Sequence, residues 1–457
     1  MAYASIYPYT GKTLKTYNVI SDDDLTAKLN QAEKVFQEFG KESVKDRAPI
    51  LANVAKTMRQ DEDQLAKYIT HDMGKLLTEA KAEVELSANI AQYYADNGAD
   101  FLRDKPLRTM AGNSWMEYDA TGIVMCVEPW NFPYYQLMRV FATNFMLGNP
   151  VMVKHASNVP QCAEAFEKVI EKAGAPKGAY TNLFVNYKQV GRIIADPRVQ
   201  GVALTGSEKA GAIISAEAGK NLKKCTMELG GNDVMYIRGD VNVKKAAKLA
   251  AYARLWNAGQ VCVSAKRYIV AKSIYPEFMK DLKAEFAKYK PGDPMKASTN
   301  LAPLSSKKAQ LNLQKQVKNA VANGAKMVFG GGIPKGTNGF FYNPTILTNI
   351  TKKNPAFYQE FFGPVAQVYV AKDDAEAIKI ANDSNYGLGG AIVSKDTHKA
   401  AQVASKMNTG MIYINDICNV IYPELPFGGV KHAGFGRELG PYAVKTFANA
   451  KLVSIKA

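Results

Sequence analysis

The chain has 457 residues, 47% hydrophobic and 22% charged, a balance that excludes a disordered chain, and a length that implies two to four domains at roughly 100–200 residues each. Its five cysteines form no CxxC pair, which excludes a disulfide framework and a zinc ribbon; no metal site is expected. The net charge of +16 invites a nucleic-acid reading, but the lysines lie in scattered pairs such as Lys223-Lys224 and Lys352-Lys353 with no run of five like charges, so nucleic acid is excluded as a partner.

No apolar stretch approaches the roughly 18 residues of a membrane helix. The start, Met1 to Pro8, lacks the basic region and apolar core of a secretory leader. No membrane partner and a cytoplasmic home are therefore expected. The first hundred residues read as mostly helical. Ser21 followed by three aspartates reads as a helix cap, and amphipathic helices are predicted around Ala48–Tyr68 and Thr78–Phe101. From Thr121 the texture changes. Apolar, strand-sized runs at Gly122–Val127, Gly148–Lys154, Thr181–Val185 and Val199–Leu204 alternate with helices at Ala163–Ala173 and Val190–Ala195. A second alternating series runs from about Asp233 to Asn415, with strands at Tyr268–Ala271, Gln367–Val370 and Met411–Asn415 and helices at Glu277–Tyr289 and Ser306–Asn323. Strands alternating with helices imply parallel, helix-covered sheets, hence two α/β domains meeting near Gly230-Gly231.

Three segments carry possible chemistry. Cys262, in Gly259-Gln-Val-Cys262, is a nucleophile on a tight turn or a buried core thiol; as a nucleophile it needs activation to the thiolate. Glu228, before Leu229-Gly230-Gly231, is a general base on a loop or an ordinary strand end. Asn131 lies between prolines 129 and 133 at the end of an apolar strand, where open α/β sheets bind ligands and an amide suits an oxyanion; the alternative is a rigid surface turn.

Taken together, these segments resemble the aldehyde dehydrogenase superfamily over nearly the whole chain. The Pro129–Pro133 segment, Lys154, Leu204-Thr-Gly-Ser207, Glu228-Leu-Gly-Gly231, Gly259-Gln-Val-Cys262, Glu360-Phe-Phe-Gly-Pro364 and Pro426-Phe-Gly-Gly-Val-Lys431 match in order and spacing. The resemblance implies two Rossmann-like parallel-sheet domains, with 1–101 and 121–229 binding the cofactor and 230–426 catalytic. It also implies a small oligomerisation element at 102–120 and 441–457, whose tail pairs with a hairpin near Leu102–Ala120 across the interface of a homodimer or homotetramer.

The same resemblance assigns roles. Cys262 attacks a small-molecule aldehyde to give a thiohemiacetal and then a thioester, Asn131 and the Cys262 N–H hold the oxyanion, and Glu228 activates the hydrolytic water. Trp130, Lys154, Ser157, Gly206, Ser207, Glu360 and Phe362 are expected at the dinucleotide. NAD-preferring relatives often carry Glu where this chain has Ser157; the smaller, neutral side chain leaves room for a 2′-phosphate and removes a repelling charge. NADP is therefore expected as the preferred cofactor, with NAD possible. Arg139, ten positions after Pro129, matches an arginine that binds a distal carboxylate in succinate-semialdehyde dehydrogenases; an internal salt bridge is the alternative. A second arginine of those enzymes is replaced by Trp256, which with Phe427 is expected near the substrate. The overall pattern is similar to the shorter bacterial succinate-semialdehyde dehydrogenases, and that aldehyde is the expected substrate. A broad aliphatic aldehyde dehydrogenase and a coenzyme A-acylating relative remain the alternatives; Glu228 argues against the second.

Overall fold

The computed structural model describes residues 3–419 and 421–456. Its first sheet has six strands, in the order Gly434–Phe435, Lys224–Glu228, Val199–Thr205, Ile123–Glu128, Val151–His155, Tyr180–Asn182. All neighbours run parallel except Gly434–Phe435 against Lys224–Glu228. The strand Ile123–Glu128 sits between two parallel neighbours, and Ile123 through Cys126 are fully buried, as expected of a strand covered on both faces. The helix Pro133–Leu147 that follows has every residue buried. It packs against the long helix Leu77–Phe101. Ser21 caps the helix Asp22–Glu38 by accepting from the Asp24 N–H.

The second sheet has seven strands, in the order Lys326–Phe329, Thr345–Thr348, Val365–Ala371, Arg267–Ala271, Val234–Ile237, Gly390–Val393, Tyr413–Ile414. Only Lys326–Phe329 runs antiparallel to its neighbour. The last long strand of the first sheet ends at Glu228 and the second sheet begins at Val234, so the Gly230-Gly231 pair lies in the crossing. The chain returns to the first sheet at Gly434–Phe435.

Three local features add to or change the expected pattern. The first hundred residues are mostly helical, as expected, and Tyr3–Ile6 and Thr13–Tyr17 form an antiparallel hairpin ahead of the helices. Tyr3 anchors it, fully buried and donating through its hydroxyl to the Val185 carbonyl at 2.7 Å. The predicted helix Ala48–Tyr68 is two helices, Val44–Gln60 and Glu62–Met73, broken at Asp61. The tail Asn449–Ile455 pairs with Asn113–Asp119 of its own chain, which also pairs with Lys105–Leu107. The expected pairing across subunits is therefore replaced by an intramolecular three-stranded sheet. Seven consecutive residues in register supply the backbone partners that the sequence reading gave to another subunit.

Candidate active site

At the carboxyl ends of the first sheet's strands lies a pocket of about 290 Å³, lined by Pro129, Trp130, Asn131, Gln136, Thr205, Gly206, Ser207, Leu229, Gly230, Cys262, Glu360 and Phe362. Residues from both halves of the chain meet there, and each has a local reason to be in place.

Asn131 stands between the strand Ile123–Glu128 and the helix beginning at Pro133. Proline suits a first helical position because its missing N–H has no intrahelical partner to lose. The free N–H groups of this helix are met from outside. Glu83 Oε1 accepts from the Tyr134 N–H at 2.9 Å and from the Tyr135 N–H at 3.3 Å. Lys75 ion-pairs with Glu83 and sits 3.6 Å over the Phe132 ring. Both charged side chains are buried. This pair fixes the turn that carries Asn131, and nothing in its spacing marked it beforehand. Asn131 Nδ2 donates to the Gln260 carbonyl at 3.1 Å. An amide has two N–H donors, so the second is available for an oxyanion in the pocket.

Cys262 follows a strained turn. Asn257, Ala258 and Gly259 have φ of 50°, 51° and 73°. Two consecutive non-glycine residues in the left-handed region cost about 1–2 kcal/mol each. The surroundings hold them there. The Asn257 N–H donates to Glu79 Oε1 at 3.1 Å, and Asn257 Nδ2 donates to the Asn131 carbonyl at 3.0 Å. Gly259 admits a close approach: a Cβ there would lie 2.3 Å from the Gly363 carbonyl oxygen. Gly259 thus seats the turn before Cys262 against the Glu360–Gly363 loop. Burial pushes the Cys262 thiol up to about 12, against the pull of Lys266 and Arg139. Ser264, two residues on, is fully buried.

Glu228 pairs in register with Thr205, and its carbonyl accepts from the Gly206 N–H at 2.9 Å. Its carboxylate is buried and has no hydrogen-bond partner among the described residues. It lies toward Gly428, where a Cβ would come 2.5 Å from Glu228 Oε1. Burial first, then the Glu438 charge, hold the Glu228 carboxyl well above its ordinary range. A carboxyl raised in this way suits a general base near neutral pH.

Arg139 requires a correction. It is 1% exposed, and its side chain has internal partners: an ion pair with Glu438, the Tyr135 hydroxyl at 3.0 Å and the Thr205 hydroxyl at 2.8 Å. Its guanidinium also lies 4.9 Å from the Tyr135 ring and 4.8 Å from the Phe427 ring. Burial works against its charge, but Glu438 overcomes this and holds Arg139 above its ordinary value. Glu128 and Glu228, both buried, add to that field. Arg139, expected from the sequence as a free carboxylate clamp, is here the counter-ion of Glu438, with the buried carboxylates of Glu128 and Glu228 adding to its field. Phe427, 4% exposed, packs beneath the guanidinium rather than lining the pocket. Trp256 likewise does not line it; its ring packs on Phe132 at 5.2 Å. Arg139→Met should lower the free energy of unfolding by about 3–5 kcal/mol, because Glu438 is left buried without its partner. Denaturant unfolding checks this; unchanged stability with a raised KM confined to acid-bearing aldehydes would restore the carboxylate role.

Trp130 and Phe362, both lining the pocket, meet edge to face, with ring centroids 5.7 Å apart and planes at 90°. Glu360 accepts from the Gly231 N–H at 3.2 Å and ion-pairs with Lys266 at 3.0 Å. Exposed Ser207 caps the helix Glu208–Lys220, accepting from the Ala210 N–H. A Cβ on Gly206 would meet nothing nearer than 3.5 Å. Lys154 lies away from this pocket, 5% exposed. Its amine donates to the His155 carbonyl at 3.2 Å and lies 5.4 and 5.6 Å from the Tyr3 and Tyr187 rings. Burial lowers the Lys154 amine to about 8. Half-buried Ser157 holds the N-terminal hairpin through its carbonyl, which accepts from the Ala4 N–H at 3.0 Å. Gln136 lines the pocket and Tyr187 lies beside Lys154, and no motif in the sequence pointed to either; Lys266 stands in the Val263–Arg267 segment that resembles the family, with no role assigned to it.

The model of the aldehyde dehydrogenase family matches residues 1–453. The chain belongs to the aldehyde dehydrogenase family. A curated succinate-semialdehyde dehydrogenase [NADP(+)] of Deinococcus radiodurans is 44% identical over 99% of this chain and 94% of its own. A crystal structure of succinic semialdehyde dehydrogenase from Streptococcus pyogenes in complex with NADP+ superposes over 100% of both chains with a TM-score of 0.98 and 48% identity. An aldehyde dehydrogenase of Paenarthrobacter nicotinovorans is 36% identical over 99% of both chains. This aldehyde dehydrogenase therefore has the fold implied by its strand pattern, and aldehyde oxidation is its class of reaction.

Proposed function

We propose that this aldehyde dehydrogenase oxidises succinate semialdehyde to succinate with NADP, through Cys262, Asn131 and Glu228. The observation that carries the mechanism is the opening of Cys262 into one pocket with Asn131 and with the Trp130–Phe362 pair. The substrate and cofactor rest on the names of the relatives at 44% and 48% identity.

The site fits a dinucleotide. The helix start at Ser207 presents free N–H groups to a pyrophosphate, and the open space at Gly206 lets it approach. Buried Lys154 and the Glu360 carboxylate suit ribose hydroxyls, and the edge-to-face Trp130–Phe362 pair supplies an apolar wall of the pocket for a flat ring. When bound, the dinucleotide takes up the hydride that leaves the substrate carbon. The protein's own residues do the remainder. The Cys262 thiolate adds to the aldehyde carbon, and the thiohemiacetal oxyanion is met by Asn131 Nδ2 and the Cys262 N–H. After oxidation to the thioester, Glu228 turns from Gly428 toward the pocket and takes a proton from water, whose oxygen attacks the thioester carbonyl. The C–S bond breaks, succinate leaves, and Cys262 is regenerated. All five cysteines are unpaired thiols, which suits a reducing cytoplasm. We also infer a homodimer or homotetramer, because the sheet carrying the tail leaves Leu452 and Ile455 60% and 54% exposed.

Initial rates with succinate semialdehyde and butanal, each with NADP or NAD, test this reading. Succinate semialdehyde with NADP should give the highest kcat/KM. Equal kcat/KM for butanal would remove the acid substrate and leave the mechanism. Ser157→Glu should lower kcat/KM for NADP by about 10–100-fold, through repulsion of a 2′-phosphate, and leave NAD within a few-fold. An unchanged NADP value would remove Ser157 from the cofactor site.

A further inference from the structure

Four residues beyond the nucleophile, Lys266 is fully buried. Its amine donates to the Val261 carbonyl at 2.9 Å and to the Cys262 carbonyl, and it meets Glu360 Oε1 at 3.0 Å. Burying an ammonium is costly unless its partners are well placed. Here those partners belong to two functional segments. Two are carbonyls of the nucleophile's own turn, and the third is the carboxylate that the proposed function assigns to the cofactor ribose.

The charged and titratable groups facing Cys262 are Lys266, Arg139 and Tyr135 from the helix Pro133–Leu147, Glu360, and Asp233 just before the strand Val234–Ile237. Asp233 and Cys418 also face Lys266. Among the described residues of this set other than Cys262, Glu360 alone lines the pocket. A ligand entering the pocket therefore acts directly on Glu360 and leaves Arg139, Tyr135, Asp233 and Cys418 in place. Glu360 is held by Lys266 and by the Gly231 N–H on the same oxygen, Oε1. The other oxygen, Oε2, lies beside Gly230, another pocket residue.

We propose that Lys266 is a positioning residue that couples cofactor binding to the reactivity of Cys262. Glu360 offsets its charge while the pocket is empty of dinucleotide. When the carboxylate turns to accept from ribose hydroxyls, the ammonium acts on the Cys262 thiolate with less opposition. This rests on the assignment of Glu360 to the cofactor. A purely structural lysine would hold the two carbonyls equally well with and without dinucleotide.

The test follows alkylation of Cys262 by iodoacetamide against pH, with and without NADP, together with NADP affinity measured by fluorescence. In the unmodified enzyme NADP should lower the midpoint of the alkylation profile by about one pH unit, a roughly tenfold faster reaction below the midpoint. Lys266→Met should raise the midpoint and abolish the response to NADP; Lys266→Arg should keep most of it. Glu360→Gln should have a low midpoint without cofactor and respond little to it. Lys266→Met that binds NADP normally and keeps the original profile and response would overturn the proposal. If Lys266→Met does not fold, Glu360→Gln decides: a midpoint and a response both unchanged contradict the coupling. Unchanged NADP affinity in Glu360→Gln overturns the cofactor assignment, and the proposal with it, independently of any alkylation result.

Discussion

Cys262→Ser is expected to remove aldehyde oxidation, with kcat falling by about five powers of ten, the scale on which a covalent nucleophile acts. The reason lies in where the thiol sits. The turn through Asn257, Ala258 and Gly259, which leads into Cys262, is held in left-handed conformations by Glu79 and by the Asn131 carbonyl, and Cys262 opens into the pocket. A serine there has the same reach, but its hydroxyl is far harder to ionise than a thiol, and burial makes ionisation harder still. The variant should fold and melt as the parent does, because Cys262 makes no hydrogen bond through sulfur among the described contacts. Steady-state rates with succinate semialdehyde and NADP, beside a melting curve, check both halves. A serine variant within tenfold of the parent would place the nucleophile elsewhere.

Glu228→Gln should act later in the reaction. Loss of a general base costs about 10²–10⁴-fold, and here the loss should fall on release of the acid rather than on hydride transfer. Stopped-flow mixing with substrate and NADP should show one rapid burst of reduced cofactor per site, followed by turnover slowed by that factor. The pH dependence has a definite sign. Burial and the Glu438 charge raise the Glu228 carboxyl, so the acid form, which is not a base, persists to higher pH than an ordinary glutamate's. Hydrolysis of the thioester should rise with pH through that raised value in the parent enzyme and lose this rise in Glu228→Gln. A variant slowed equally in the burst and in turnover would assign Glu228 to an earlier step.

The parts of the fold that repeat were legible in the sequence. Apolar strands such as Ile123–Glu128 and Val199–Thr205 alternate with helices, and that alternation predicts a parallel sheet without any contact being known. The N-terminal hairpin was not legible. Its strands have four and five residues, too short for a period of two to stand out, and it is fixed by the distant Tyr3 bond to Val185. The partner of the C-terminal tail was equally hidden, because a strand's alternation does not say whose edge it joins.

The site divides in the same way. Cys262, Glu228 and Asn131 stand in contiguous motifs, so their segments could be matched in order. For Arg139 the sequence left a carboxylate clamp and an internal salt bridge open, and spacing could not decide between them because its partner Glu438 lies 299 positions away. Lys75 and Glu83 escaped notice for a related reason, and Lys266 stood in a matching segment without a role. A charged residue reads as surface in a sequence, and only packing shows that Lys266 ends against the nucleophile's carbonyl.

In the proposed reaction an acyl group passes through Cys262 and leaves with the help of Glu228. The intact mass of Glu228→Gln, quenched in acid seconds after mixing with succinate semialdehyde and NADP and followed by peptide mapping, reads this step. A gain of one succinyl group per chain is expected, carried on the peptide containing Cys262 and absent when NADP is omitted. An unmodified chain after a full burst of reduced cofactor, or an acyl group on any other residue, would contradict it.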